Sequence, residues 1–180
     1  MTNEGKTKVI AIEEHFMHTP LTDHFNSSGH QPEKIRSRLY DFMEIRIEEM
    51  DAARIDMQVL SHQSPGSQRL PEKVALTACQ KSNDALANII AEKPDRFQGF
   101  AMLPTNQAHV AAQELERAVS QLKLKGAMIH GLSEGQMVDG SSFWPIFAKA
   151  EELDVPIYLH PADPDKAVTE RYYSPYDQSH

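Results

Sequence analysis

Glu13 and His15 stand two residues apart at the end of the apolar run in "IAIEEHF", and His160 ends a second such run in "PIYLHP". Residues two apart on a strand project from one face, so Glu13 and His15 enter the same space while Glu14 points the other way. With His160 arriving from a later strand, the set is one carboxylate and two imidazoles. Such donors can hold a catalytic divalent ion and leave positions open for water or substrate. Imidazoles suit zinc and an added carboxylate suits manganese; one divalent metal is expected, with zinc favoured. A lone Glu-x-His is a weak signal, because either residue can simply cap a strand end. The recurrence of a histidine at the end of a later strand carries the reading.

Two more histidines hold the same relative position. His62 follows "MQVLS" and His130 follows "GAMI", so four of the nine histidines close an apolar run. In parallel α/β folds the C-terminal strand ends converge on the face where active sites are built. His62 and His130 are read as substrate-contacting or ligand-supporting residues rather than ligands, with a solvated histidine as the plainer alternative.

The elements that must position these residues alternate along the chain. Five apolar runs bounded by polar or turn residues read as buried strands: Val9–Glu14, Met57–Ser61, Gly99–Leu103, Gly126–Ile129 and Pro156–Leu159. Between them, Pro32–Arg54, Pro71–Lys93, Gln107–Leu122 and Ser142–Leu153 carry apolar residues at helical spacing. This order argues for a parallel sheet with crossover helices. A doubly wound nucleotide binder would show a Gly-rich turn after its first strand, where this chain has "EEHFMHTP". The fold expected is an incomplete (βα)8 barrel of about five βα units, since closure takes eight strands and about 250 residues. Residues 1–180 form one domain, with 162–180 read as an irregular polar tail. The loop Phe16–Gln31, with His18, His24 and His30, reads as solvated, a substrate lid being the alternative.

Bulk properties narrow the partners. A net charge of −8, with no basic run, excludes nonspecific nucleic-acid binding and favours a small-molecule ligand. The single cysteine, Cys79, permits no intrachain disulfide and reads as a small buried hydrophobe. No apolar stretch reaches the length of a membrane span or forms the core of a signal peptide, so a cytoplasmic protein is expected.

Taken in order, "IAIEEHF", "RIEEMDAARIDMQVLSHQSPGSQ", "SNDALANIIAEKPDRFQGFAMLP", "LKGAMIHG" and "FWPIFAKAEELDVPIYLHP" resemble the amidohydrolase-related family of metal-dependent decarboxylases, which act on resorcylate-type and carboxyvanillate-type acids. The resemblance implies a (βα)8 barrel with one divalent metal at the strand C-termini, Glu13 and His15 as strand-1 ligands and His160 as the strand-5 ligand. It also implies that His62 and His130, which differ from the residues common at their positions, bear on substrate choice. The implied reaction is nonoxidative decarboxylation of an aromatic o-hydroxycarboxylic acid. In the family a histidine near the end of strand 6 and an aspartate at the end of strand 8, both ligand and proton donor, complete the site. The chain ends 20 residues after His160, so both are expected to lie beyond it and the chain as it stands is expected to show little or no activity. Two alternatives stay open: a metal-dependent hydrolase of a lactone or amide, and a non-catalytic barrel fragment. Open edge strands invite pairing, so a homo-oligomer is expected.

Overall fold

The computed structural model describes residues 7–18, 32–133, 135–161 and 164–174. Within them, β1 (Ile10–Phe16) is followed by helices α1 (Glu33–Tyr40) and α2 (Ile45–Ala53), then β2 (Met57–His62) and α3 (Glu72–Glu92). Next come β3 (Phe97–Gly99), β4 (Ala101–Met102), α4 (Ala108–Ser120) and β5 (Ala127–His130). A 3-10 turn at Ser141–Phe143 leads into α5 (Trp144–Glu152), β6 (Ile157–His160) and α6 (Lys166–Tyr172).

Strand pairing is parallel throughout, in the orders β1-β2-β3 and β4-β5-β6. The run expected as one strand over Gly99–Leu103 is two short pieces that join these sheets. β3 pairs with β2 up to Leu60↔Gly99, whereas β4 begins pairing with β5 at Ala101↔Ala127. The amide of Phe100 still donates to Leu60 O at 2.9 Å, and that of Ala101 to Gly126 O at 2.8 Å. Pairing therefore passes from one neighbour to the other at a stagger, as in a sheet that curves toward a barrel. Parallel strands with crossover helices bear out the α/β class and are consistent with part of a barrel.

The main core lies between strands and helices, where Phe16, Leu60, Phe97, Leu115, Ile129 and Ile146 are essentially inaccessible to water. Truncating any one of these to Ala would cost about 2–5 kcal/mol. Alternation sends the neighbours of Leu60 the other way. Val59 joins Phe100, Met128 and Tyr158 in a second cluster on the opposite, inner face of the strands. α3 fits the helical-spacing expectation, with Ala75, Ala78, Cys79, Ser82, Asn83 and Leu86 on its buried side. Burial pushes the Cys79 thiol up to about 12, which leaves it unreactive. Gly126 is required where it stands: its φ is +139°, and a Cβ there would fall 2.2 Å from Pro156 O.

Three expectations change. The single helix read over Pro32–Arg54 breaks at Asp41, whose backbone is extended (φ −91°, ψ 129°). The break serves Arg46, which is buried and whose guanidinium donates to the carbonyls of Asp41 (3.0 Å), Arg38 (3.0 Å) and His15 (2.8 Å) and to Gln58 Oε1 (3.1 Å). A buried cation needs that many acceptors, and a continuous helix would withhold the carbonyl of Asp41. Asp41 also caps α2 through Oδ1, which accepts from the Arg46 amide at 2.9 Å. In the tail read as irregular, α6 forms because Asp165 caps it, accepting from Ala167 N at 2.8 Å. In β1, strict alternation fails at Glu13, which has φ 69° beside a register shift between Ala11 and Glu14. Residues 19–31, with His24 and His30, lie outside the described residues, as do 162–163 and 175–180. Among the described residues no helix is long and apolar enough to cross a membrane.

Candidate metal centre

β1 and β6 stand at the far edges of the two sheets, and the curvature of the strands brings their C-terminal ends together across the inner face. Glu13, His15 and His160 each offer one ligand atom, and these atoms lie within 4.8 Å of one another. His15 Nε2 and His160 Nε2 are 3.2 Å apart, and Glu13 Oε1 is 3.1 Å from His160 Nε2. Pairing His15 with Ser61 keeps the imidazole on the inner face, and the bulge lets Glu13 share it. A left-handed backbone at a non-glycine residue costs roughly 1–3 kcal/mol and persists only where the surroundings enforce it. Glu14 falls on the helix side. Burial raises its carboxyl above the usual range, partly offset by the charge of Arg46.

Tautomers decide what these atoms can hold. His160 Nδ1 donates to the backbone carbonyl of Pro161, which can only accept, so in the neutral imidazole Nε2 carries the lone pair. His15 Nδ1 pairs with Ser61 Oγ at 3.1 Å; with the imidazole as donor, its Nε2 is likewise free. The Glu13 carboxyl lies below the ordinary range because it accepts from the Tyr158 hydroxyl, and the two imidazoles favour the anion further. His15 is held below the usual imidazole value by burial and by His160, which favours its neutral, ligating form. With both imidazoles neutral, a carboxylate oxygen and two imidazole lone pairs face one another at hydrogen-bond range. A proton shared with His160 Nε2, or a divalent ion between the donors, makes that arrangement attractive. Two nitrogens bound to one zinc at about 2.0–2.1 Å each would stand close to this separation, so the donors fit a divalent ion. The engaged Nδ1 atoms supply the outer hydrogen bonds that such ligands need.

The remaining strand-end histidines separate. His130 pairs with His160 in register and shares its face, with ring centroids 4.8 Å apart, and it stands 6.1 Å from the His15 ring. Its Nε2 donates to His62 O at 2.9 Å, and its buried Nδ1 has no partner among the described residues. Burial pushes His130 down to about 4, so it is neutral at pH 7. His62 turns its side chain to the other face of the strand. It pairs with Phe16, so its ring sits edge-on to Phe16 at 5.5 Å on the helix side, and only its carbonyl reaches toward the cluster. Missed in the sequence were Ser61, Tyr158 and Arg46. Tyr158 could have been found as the residue two before His160 on the same strand face. Arg46 left no signal, since it sits within a helical pattern and touches His15 only through tertiary structure.

His130 also lines a cavity of about 440 Å³ with Pro65, Gln68, Arg69, Leu70 and Asp165. A larger open cleft of about 600 Å³ lies near the N-terminal ends of β1 and β2, among Lys8, Asp51, Arg54 and Arg96, and holds none of the cluster residues. The smaller space is not lined by Glu13, His15 or His160 either, and of the strand-end histidines it holds His130.

Residues 15–179 match the amidohydrolase family. This chain belongs to the amidohydrolase family. The gamma-resorcylate decarboxylase of Rhodococcus jostii RHA1 is 39% identical over 170 residues, covering 86% of this chain and 51% of that one. The dihydroxybenzoic acid decarboxylase of Polaromonas sp. JS666, solved with bound manganese and the inhibitor 2-nitroresorcinol, superposes with a TM-score of 0.82 at 36% identity, covering 93% of this chain and 53% of that one. The 5-carboxyvanillate decarboxylase of Novosphingobium aromaticivorans, complexed with manganese and 4-hydroxy-3-methoxy-5-nitrobenzoic acid, gives 0.85 at 30% identity, covering 92% and 53%. The chain spans about half the length of the curated relatives it matches. The resemblance read from the sequence is borne out. A preference for zinc is not supported, since the ion in these solved relatives is manganese.

Proposed function

We propose that Glu13, His15 and His160 hold one divalent metal ion in a site for nonoxidative decarboxylation of an aromatic o-hydroxycarboxylic acid of resorcylate type. The observation that carries this reading is the convergence of three potential ligand atoms, with Nε2 of His160 3.1 Å from a carboxylate oxygen and 3.2 Å from a second imidazole nitrogen. When bound, the ion would orient the substrate oxygens and stabilise negative charge developing on the acid. Manganese in the relatives makes it the first ion to test, with zinc the second. His130 supports substrate contact from the cavity side, as a neutral imidazole beside His160 with an unpartnered nitrogen. His62 supports it indirectly, by fixing His130 through its carbonyl. The chain's own residues bind and orient; proton delivery to the ring carbon is assigned to none of the described ones. The architecture proposed for this site is a (βα)8-type barrel to which the described residues contribute five βα units, β3 and β4 counting as one strand.

The test is titration of the metal-free chain with Mn²⁺, followed by 2,6-dihydroxybenzoate. The reading expects one ion per chain, Mn²⁺-dependent binding of the acid, and carbon dioxide as the product of any turnover. No bound ion, or acid binding that ignores Mn²⁺, overturns it. Incorporation of solvent oxygen into the product would favour hydrolysis instead.

A further inference from the structure

Tyr158 lies two residues before His160 on β6 and shares its face, and its hydroxyl donates to Glu13 Oε2 from the opposite strand. The ring is anchored from behind, stacked on the buried Phe100 with centroids 6.0 Å apart and planes at 25°. Glu13 by contrast is poorly held by packing, since its side chain is 43% exposed and its backbone sits at φ 69° in the bulge. A carboxylate on a flexible stem can offer a metal either oxygen or both. Here Oε2 is taken by the phenol, and Oε1 is the oxygen that lies 3.1 Å from His160 Nε2. We propose that Tyr158 is a positioning residue of the metal centre, which by donating to Oε2 presents Glu13 to the ion through Oε1 alone. The inference rests on the metal reading of the site and adds a residue to it. Outer partners of this kind commonly set the affinity and coordination of the ion they never touch.

Tyr158→Phe is the decisive variant, because it keeps the ring against Phe100 and removes only the O–H. Three measurements on the full chain separate a positioning role from a structural one: Mn²⁺ affinity by calorimetry, the visible spectrum of the Co²⁺-loaded protein, and thermal unfolding without metal. The expected result is a loss of about 10–100-fold in Mn²⁺ affinity, weaker Co²⁺ absorption as the freed carboxylate binds through both oxygens, and an unchanged metal-free unfolding midpoint. Wild-type Mn²⁺ affinity together with an unaltered Co²⁺ spectrum in Tyr158→Phe overturns the proposal. Glu13→Gln serves as the reference: if it loses Mn²⁺ while Tyr158→Phe does not, the metal site stands and the role of Tyr158 falls. If the wild-type chain binds no Mn²⁺, both fall.

Discussion

Glu114 on α4 is buried with both oxygens engaged: Oε1 accepts from Asn83 Nδ2 at 2.7 Å and Arg117 Nη2 at 2.8 Å, and Oε2 from Arg117 Nε at 2.8 Å. Asn83 closes the network by exchanging two bonds with the backbone of Met102, so every donor there meets an acceptor. Glu13 is half exposed on an irregular strand, with Oε2 accepting from the Tyr158 hydroxyl and Oε1 3.1 Å from His160 Nε2. The two carboxylates show how polar groups divide in this protein. Where donors and acceptors balance in a buried place, the cluster binds helix to strand; where a carboxylate and imidazoles converge at a strand end, the same atom types are arranged as a ligand set.

The strongest challenge to that division is Glu114→Ala, which should lower the unfolding free energy by up to about 3 kcal/mol in chemical denaturation, because the buried Asn83 amide loses an acceptor and Arg117 keeps only its pairing with Asp84. A loss under about 1 kcal/mol, the size of an ordinary substitution, would remove Glu114 from the structural class.

His62 tests the division with pH. Its imidazole, pushed down to about 4 by burial, is neutral in the folded chain, whereas the unfolded value is near 6.5. The unfolded state therefore binds more protons between those values, so stability is fully present above about pH 6.5 and falls as pH drops toward 4, by about 3 kcal/mol for this residue. His62→Gln should flatten that share of the slope in denaturant titrations run across the window; an unchanged slope would show the imidazole to be accessible and unlike the packed groups.

Glu13→Gln sharpens the comparison from the other side, with the smallest effect on the fold. Metal-free stability should stay within about 0.5 kcal/mol of wild type, while Mn²⁺ affinity should fall by more than about 100-fold, the upper range for outer-shell changes. Loss of stability equal to that of Glu114→Ala would erase the distinction.

Much of this was legible beforehand because strand and helix periods are written locally. The runs ending at His15, His62, His130 and His160 gave the parallel strands and the face where they finish. Glu13, His15 and His160 were read as a ligand set and do converge. The break at Asp41 was not legible, because a helical apolar spacing continues through it and only the needs of a buried Arg46 override that pattern. Nor was the split at Phe100, which follows from sheet curvature. The face taken by His62 was not legible either, since a histidine at a strand end carries no mark of it until the register with Phe16 is known.

By itself the sequence determined the alternation of elements, the family and the donor types at the strand ends, since these depend on residue identity and spacing along the chain. The tertiary structure decided which of those donors meet. Strand register fixes the face each side chain takes, and the curvature of the sheets brings β1 and β6 within bonding distance although 145 residues separate Glu13 from Tyr158. Distances across that gap depend on packing, which no local pattern records.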